Sequence, residues 1–403
     1  MRVFFSVGEP SGDLHGANLV RELRRQNPAV ECVGFGGPQM ASAGCRLHAD
    51  LTQLAVMWFL RVLLNLHHFY RLWRQAESYF RDQRPDAVVL IDYPGFNWWV
   101  ARSAKRYGIP VFYYGMPQMW AWAGWRVKKM RRLVDYALCK LPFEVSWFGE
   151  RGCRATYVGH PYFDEVHQRK LDVDFVRQMR GNEPLVTILP GSRTQEVLIN
   201  LPTFLKAAAR IKQQVPRSRF VIAAFNERQA KIAHEMVAKT EFPIQICVAR
   251  TPELIEAAHC CMACSGSVSL ELLYHEKPTV IYYRISRAAF SVQHLVRKVK
   301  YITLVNLLAT TDLFPKKISV YDPDDPQAEQ VPFPEYLACE DRSEPISAHL
   351  VEWLTDRMAY QLRTAPLRIL KQKYAQPGAS SRAAQFILSH LEEGQSGASR
   401  TAA

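Results

Sequence analysis

Four short stretches of this sequence join residue types and spacings that could act on an anion or a hydroxyl group. In LVTILPGSRTQEV, residues 185–197, five apolar and partly β-branched residues read as a buried strand. Pro190 and Gly191 break it, Ser192 is placed to cap a following helix, and Arg193 stands in the mouth between them. Such a turn offers free N–H groups and the positive end of a helix dipole to an anion, and a guanidinium fork matches phosphate oxygens. An ordinary strand-to-helix turn with a surface arginine has the same pattern. The second stretch, Ser265-Gly266-Ser267-Val268-Ser269-Leu270-Glu271, repeats the arrangement after the apolar run 259–264. Glu271, one turn in, could accept both hydroxyls of a ribose; equally, it is an acid favourably placed near a helix N-terminus.

The third stretch is AVVLIDYPGFN, in which Asp92 follows an apolar strand and Asn97 opens the next helix. In open α/β sheets ligands bind beyond the carboxyl ends of strands, so a carboxylate there is placed to act as a general base. It is placed as well to cap the helix or to pair with a lysine. The fourth is the turn Gly8-Glu9-Pro10-Ser11-Gly12-Asp13 after a first strand. It lacks the GxGxxG of a dinucleotide site, and its glycines instead let a substrate approach the backbone.

Positioning these turns takes alternating strands and helices. Residues 2–7 and 31–35 read as strands around a helix that Pro28 ends, a βαβ start that implies a parallel sheet wound by helices. Further strands are expected at 109–114, 219–224, 244–248 and 277–283. At 403 residues the chain exceeds one ordinary core. We expect an N-terminal domain over 1–170 and, after a polar linker, a second over 171–364. Helices at about 365–393 should pack back on the first, ahead of a disordered tail at 394–403. Residues 310–345, rich in Pro and Asp, read as a surface excursion.

A formal charge of +13 calls for an acidic partner: nucleic acid, a nucleotide or an anionic membrane. Residues 54–73 are apolar nearly all round, with Arg61, Asn65 and His68 on one stripe. That fits a buried helix or one lying on a membrane. The run Trp120-Ala121-Trp122 before the basic residues 126–132 fits RNA stacking or a membrane interface. Nine scattered cysteines give no disulfide framework, which points to a reducing compartment. Cys261 and Cys264 have CxxC spacing without a second pair, and read as buried thiols rather than a metal site. No signal peptide and no apolar run of transmembrane length is visible, so the expected place is the cytoplasm.

Taken in order, GEPSGDLHGA, GFGGPQM, ID-PGFN, PQMWAW, LPFE, VGHP, LPGSR, SGSVSLE and LVNLLA resemble the lipid-A-disaccharide synthase family over roughly residues 1–310. The resemblance implies an α/β fold of the GT-B type, two Rossmann-like domains with parallel sheets facing a central cleft. It implies an inverting transfer from UDP-2,3-diacylglucosamine to 2,3-diacylglucosamine 1-phosphate, with UDP released. Asp92 would be the base. Glu9, Ser11, Asn97, Gly191, Ser192, Arg193, Ser265, Gly266, Ser267, Glu271 and Asn306 would bind substrate. No metal, cofactor or nucleic acid is expected, the inner-membrane cytoplasmic face is, and a homodimer stays open. Binding alone would not need Asp92 and Glu271 in those turns; a related UDP-sugar transferase with another acceptor would. The chain departs from the family at Gly95, where a second acid is usual, and at Trp58, where a glycine is. It also carries an insertion at about 310–332 and lacks a glutamine after Leu337. These departures bear on acyl-chain and acceptor specificity.

Overall fold

The structure, a computed structural model, describes residues 1–55 and 66–401. It divides into two compact units, Met1–His167 with Gln376–Ala403, and Gln168–Ala375. Each is built on one parallel sheet.

In the first unit the strands are β1 (Arg2–Val7), β2 (Glu31–Gly36), β3 (Arg46–Asp50), β4 (Ala87–Ile91), β5 (Val111–Tyr114), β6 (Tyr136–Cys139) and β7 (Ala155–Tyr157). Their order is β3-β2-β1-β4-β5-β6-β7. The chain therefore winds outward from β1 to β3, then returns to start again at β4. In such a sheet, ligands bind where the winding reverses, here between β1 and β4. Helices cover both faces, which is why β1 and β4 are apolar without alternation. On one face Phe5, Val89 and Ile91 pack with Leu19 and Leu23 of the helix Pro10–Gln26 and with Ile387 of the last helix. On the other, Phe4 meets Phe35 and Phe80 edge-on, with ring centroids 5.4 and 4.9 Å apart.

The second unit repeats the plan with β8 (Leu185–Leu189), β9 (Arg219–Ala224), β10 (Gln245–Val248), β11 (Cys260–Ala263), β12 (Thr279–Arg284) and β13 (Glu335–Ala338). Its order, β10-β9-β8-β11-β12-β13, puts the reversal between β8 and β11. Cys261 and Cys264 lie buried here, and burial pushes each thiol up to about 12. Such thiols stay protonated and serve as packing.

Three expectations need correction. Residues 335–338 are no surface excursion but a buried edge strand paired with β12. Its buried Glu335 accepts hydrogen bonds from the backbone of Ile302 and Thr303 and from Asn306, partners about thirty residues away that a local pattern does not reveal. The helix Arg357–Tyr374 stays with the second unit, because Leu367 is buried there and Lys371 and Arg368 pair with Glu276. Only the helix Ala379–Thr401 packs on the first unit, and it continues through most of the segment expected as a disordered tail. Of the apolar stretch 54–73, residues 56–65, with Trp58, Arg61 and Asn65, lie outside the described residues. Its far end opens the helix Leu66–Gln83, where Leu66 and Tyr70 are exposed and Phe69 is buried. Among the described residues no helix is long and apolar enough to cross a membrane.

Candidate active site

At the reversal point of the first sheet, Val7 and Ile91 are paired neighbours, so the turns after β1 and β4 begin side by side. Asp92 and Tyr93 both have left-handed backbones, φ +46° and +44°. Two such residues in succession store of order 1–3 kcal/mol each, and persist only where their surroundings hold them. Asn97 is the holder. It is fully buried, and its Nδ2 donates to the carbonyl of Asp92 at 2.8 Å and to those of Ser6 and Ile91 at 3.2 and 3.3 Å. Ser6 Oγ donates to its Oδ1 at 2.6 Å, and the Tyr113 hydroxyl donates to the Asp92 carbonyl at 2.7 Å.

The turn aims the Asp92 carboxylate past the strand end, with a fifth of the side chain (21%) open to solvent. Its Oδ1 lies 3.7 Å from Lys140 Nζ. Gly115, itself at φ +71°, approaches so closely that a Cβ there would sit 3.4 Å from Oδ1, and a Cβ on Gly12 would sit 3.6 Å from Oδ2. Asp92 thus neither caps the following helix nor stands alone: it pairs loosely with a lysine. His15 is buried and His160 half-buried, and both feel the Lys140 charge. Burial, reinforced by the Lys140 charge, depresses His15 to about 3 and His160 well below its usual value, so both are neutral. His15 Nδ1 is buried without a hydrogen-bond partner. Glu9 and Ser11 are exposed in the turn and first helical residues after β1.

Two buried acids do the assembling here, and sequence reasoning passed over both. Asp13 accepts from the backbone N–H groups of Gly37, Gln39 and Met40 at 2.9, 3.0 and 3.1 Å, which joins GEPSGD to GGPQM. Glu144 accepts from Lys140 and Leu141 N–H and from Trp120 Nε1 at 2.9, 3.0 and 3.0 Å, which joins PQMWAW to LPFE. Burial raises the Glu144 carboxyl above its usual value, against the pull of Lys140 and these donors. The signal was present: Asp13 sits inside a motif whose partner motif offers bare turn N–H groups, and Glu144 stands third in a helix beginning at Pro142, where an acid reaches back to the cap.

In the second unit Ala263 and Leu189 are paired, so the SGS and PGSR turns also start together. Gly191 has φ +126°, and a Cβ there would lie 2.5 Å from Glu196 Cβ, so only glycine fits. Glu196 folds back into the turn: Oε2 accepts from the N–H groups of Ser192 and Arg193 at 3.0 and 3.1 Å, and Oε1 from Arg193 Nη1 at 3.0 Å. This corrects the expected cap: Glu196, third in the helix Thr194–Gln214, reaches back to Arg193, and Ser192 does not cap. The Arg193 side chain is 81% exposed. Gln229 donates to the Ser192 carbonyl. Asn200 Nδ2 reaches the Pro190 carbonyl and Cys264 Sγ, both at 3.4 Å, and so ties the two turns together. Of the second turn, Gly266 and Ser267 are exposed and Ser265 is half-buried.

Glu271 and Asn306, both expected to bind substrate, are buried with partners inside the protein. Glu271 is buried and receives Arg169 Nη1 at 2.5 Å. Asn306 is fully buried; its Nδ2 donates to the Phe333 carbonyl and Glu335 at 2.8 and 2.9 Å, and its Oδ1 accepts from Phe333 N–H at 3.0 Å. Both residues look inward because their helices, only seven and six residues long, are anchored by them. Among the described residues no three His, Cys, Asp or Glu side chains converge as a metal ion would require. The first unit thus offers a clamped carboxylate able to take a proton from a hydroxyl; the second offers paired turns and an exposed arginine suited to an anion, with Glu196 occupying the N–H groups of Ser192 and Arg193 that a ligand would take over.

Comparison with known proteins bears on what that chemistry serves. A family model described as lipid-A-disaccharide synthetase matches residues 3–344. The chain is 32% identical over 396 residues to a lipid-A-disaccharide synthase of Geobacter metallireducens, covering 97% of each. It is 31% identical over 399 residues to one of Myxococcus xanthus, covering 98% of each. Among solved structures, a putative UDP-N-acetylglucosamine 2-epimerase from Listeria monocytogenes superposes with a TM-score of 0.65 at 11% identity, over 97% of each chain. MurG of Acinetobacter baumannii superposes with a TM-score of 0.57 at 12% identity, over 96% of this chain and 99% of that one. At such identities these two speak to fold alone.

Proposed function

This chain belongs to the lipid-A-disaccharide synthase family, and from that premise we propose how its two units divide the work. It is a glycosyltransferase of GT-B fold. It condenses UDP-2,3-diacylglucosamine with 2,3-diacylglucosamine 1-phosphate into the disaccharide 1-phosphate, releasing UDP. In our reading Asp92 takes the proton of the acceptor 6-hydroxyl. That oxygen bonds to the anomeric carbon as the bond from this carbon to the diphosphate oxygen breaks, with inversion, and UDP carries away the electron pair. The turns holding Gly191, Ser192, Arg193, Ser265, Gly266 and Ser267 receive the diphosphate and its leaving charge. Arg193, exposed and held among the described residues by Glu196 alone, swings to the ligand. Glu9 and Ser11 serve the acceptor side and Glu271, through its pair with Arg169, the ribose. Asn97 and Asn306, both fully buried, position rather than touch.

The observation that carries this reading is the clamp on the Asp92 turn: two strained residues held by a buried asparagine, with glycines on either side of the carboxylate. Purified protein mixed with both glycolipids tests it. Mass spectrometry should find the disaccharide 1-phosphate and stoichiometric UDP; hydrolysis of the donor without a disaccharide would defeat it. We also propose peripheral docking on the anionic cytoplasmic face of the inner membrane. The formal charge of +13 and exposed Leu66, Tyr70, Trp99, Trp122 and Trp125 on the first unit support it.

A further inference from the structure

The helix Pro94–Arg106 begins two residues after Asp92 and forms one wall of an open pocket of about 250 Å³ in the first unit. Its walls are the indoles of Trp98, Trp99 and Trp125, and three cations, Arg102, Arg126 and Lys129, stand around it. Among the described residues no acidic side chain lines it, and none of the three cations has an ion-pair partner.

Two of the indoles are packed against neighbouring rings. Trp98 is buried edge-on against Tyr113, centroids 5.6 Å apart, and the hydroxyl of that tyrosine holds the Asp92 carbonyl. Trp99 packs edge-on against Trp73 at 5.6 Å, and Trp73 Nε1 donates to Ser103 at 2.9 Å. The Arg126 guanidinium lies over both Trp122 and Trp125, 4.9 and 5.2 Å from their ring centroids. Three like charges gathered without a counter-carboxylate repel one another, and a bound anion relieves that repulsion. A phosphomonoester brings about two negative charges and three acceptor oxygens, which suits three donors. Indole walls suit the apolar body of an amphiphile whose polar end stays wet.

We propose that this pocket binds the 1-phosphate of the glycosyl acceptor, with the adjoining acyl chains lying on the indole walls. The proposal rests on the transfer reading above for the identity of that acceptor. The acceptor carries its reacting hydroxyl and its phosphate at opposite ends of one sugar ring. Gly95, on the pocket wall, is three residues from Asp92, hence within about 10 Å along the chain. Gly95 also leaves the pocket free of the carboxylate usual at this position, and the space around its Cα is open.

The test uses the full chain with Arg102→Gln and Lys129→Gln together, both exposed side chains whose loss leaves the fold intact. Acceptor with a 1-phosphate and its 1-hydroxyl counterpart are compared in neutral detergent micelles, by transfer kinetics and by calorimetric titration of the acceptor alone. The wild type should prefer the phosphorylated acceptor, and the double variant should lose about tenfold or more of that preference in KM and in Kd. UDP affinity should be unchanged. A double variant that keeps the wild-type preference overturns the proposal. So does one that keeps it while losing binding to phosphatidylglycerol vesicles, since the pocket would then serve bilayer lipid. Absent transfer in the wild type with the calorimetric difference intact would sink the transfer reading and leave the pocket standing.

Discussion

Replacing Asn97 by alanine should disable the enzyme without touching any group that reacts. The side chain makes two good bonds, to the Asp92 carbonyl at 2.8 Å and from Ser6 Oγ at 2.6 Å, besides two longer ones. At about 1–1.5 kcal/mol for each good bond, and something more for buried groups left unmet, the loss comes to about 3 kcal/mol. Against it stands the strain of Asp92 and Tyr93 in left-handed conformations, roughly 2–6 kcal/mol together. The two are comparable, so without Asn97 the turn gains as much by relaxing as by staying. The remaining Tyr113 hydroxyl bond is one contact and does not tip the balance back. Relaxation moves the carboxylate, and a shift of about 1 Å costs about a hundredfold in rate. Thermal unfolding should fall by at most roughly 6–12 °C for a unit of this size, because the strain released on relaxing offsets part of the lost bonding. Turnover should fall about a hundredfold, with UDP affinity intact, measured well below the new midpoint. Normal turnover at unchanged stability would refute the claim that Asn97 holds the base.

Arg193→Ala should weaken UDP binding by about 1.5–3 kcal/mol in a calorimeter with little change in melting temperature, because the arginine is exposed, its pair with Glu196 is screened by solvent, and its contacts with phosphate oxygens form only with ligand. Unaltered affinity would remove it from the diphosphate site. Binding to anionic vesicles should weaken as salt rises, since screening shortens electrostatic reach to about 8 Å at physiological ionic strength, and Trp122→Ser with Trp125→Ser should weaken it further. No sedimentation with such vesicles at low salt would refute docking. Stability should fall as pH drops below about 6.5. His15 is held near 3 by burial, so the unfolded chain binds a proton there that the fold refuses, at about 1.4 kcal/mol per pH unit until the pH approaches 3. His15→Asn should make the acid slope of urea unfolding shallower by that amount, and an unchanged slope would contradict the assignment.

How much of this was legible in the sequence depended on range. The apolar runs of β1, β4, β8 and β11 declared themselves because central parallel strands are buried on both faces, and the turns after all four were singled out by their small residues. The reversal points that bring those turns together in pairs could not be read, because strand order is a property of winding rather than of composition. Short edge strands such as β7, three residues long, offer too few positions for a pattern. β13 was hidden differently: a charged residue marks it, and Glu335 is tolerated only because Ile302, Thr303 and Asn306 converge on it from far along the chain. The burial of Glu271 and Asn306 was hidden for a related reason. Spacing placed Glu271 one turn into a helix after a small-residue turn, and Asn306 came only from the LVNLLA resemblance; neither revealed that the side chain faces inward onto partners such as Arg169 or Phe333. At Asp92 the spacing was enough to put the carboxylate beyond the end of β4, because a side chain at the end of a central strand has few ways to point.

The most direct test of the central claim is Asp92→Asn, which keeps size and shape but cannot take a proton. A sugar hydroxyl at neutral pH needs a base within hydrogen-bond reach, and the neighbouring Gly95 supplies no substitute carboxylate. Single-turnover transfer and UDP titration on the same mutant decide the matter. Transfer should fall by about 10²–10⁴-fold, while UDP affinity stays within a small factor of the wild type. Near-normal transfer would contradict Asp92 as the base, and an equal collapse of UDP affinity would make it a structural residue.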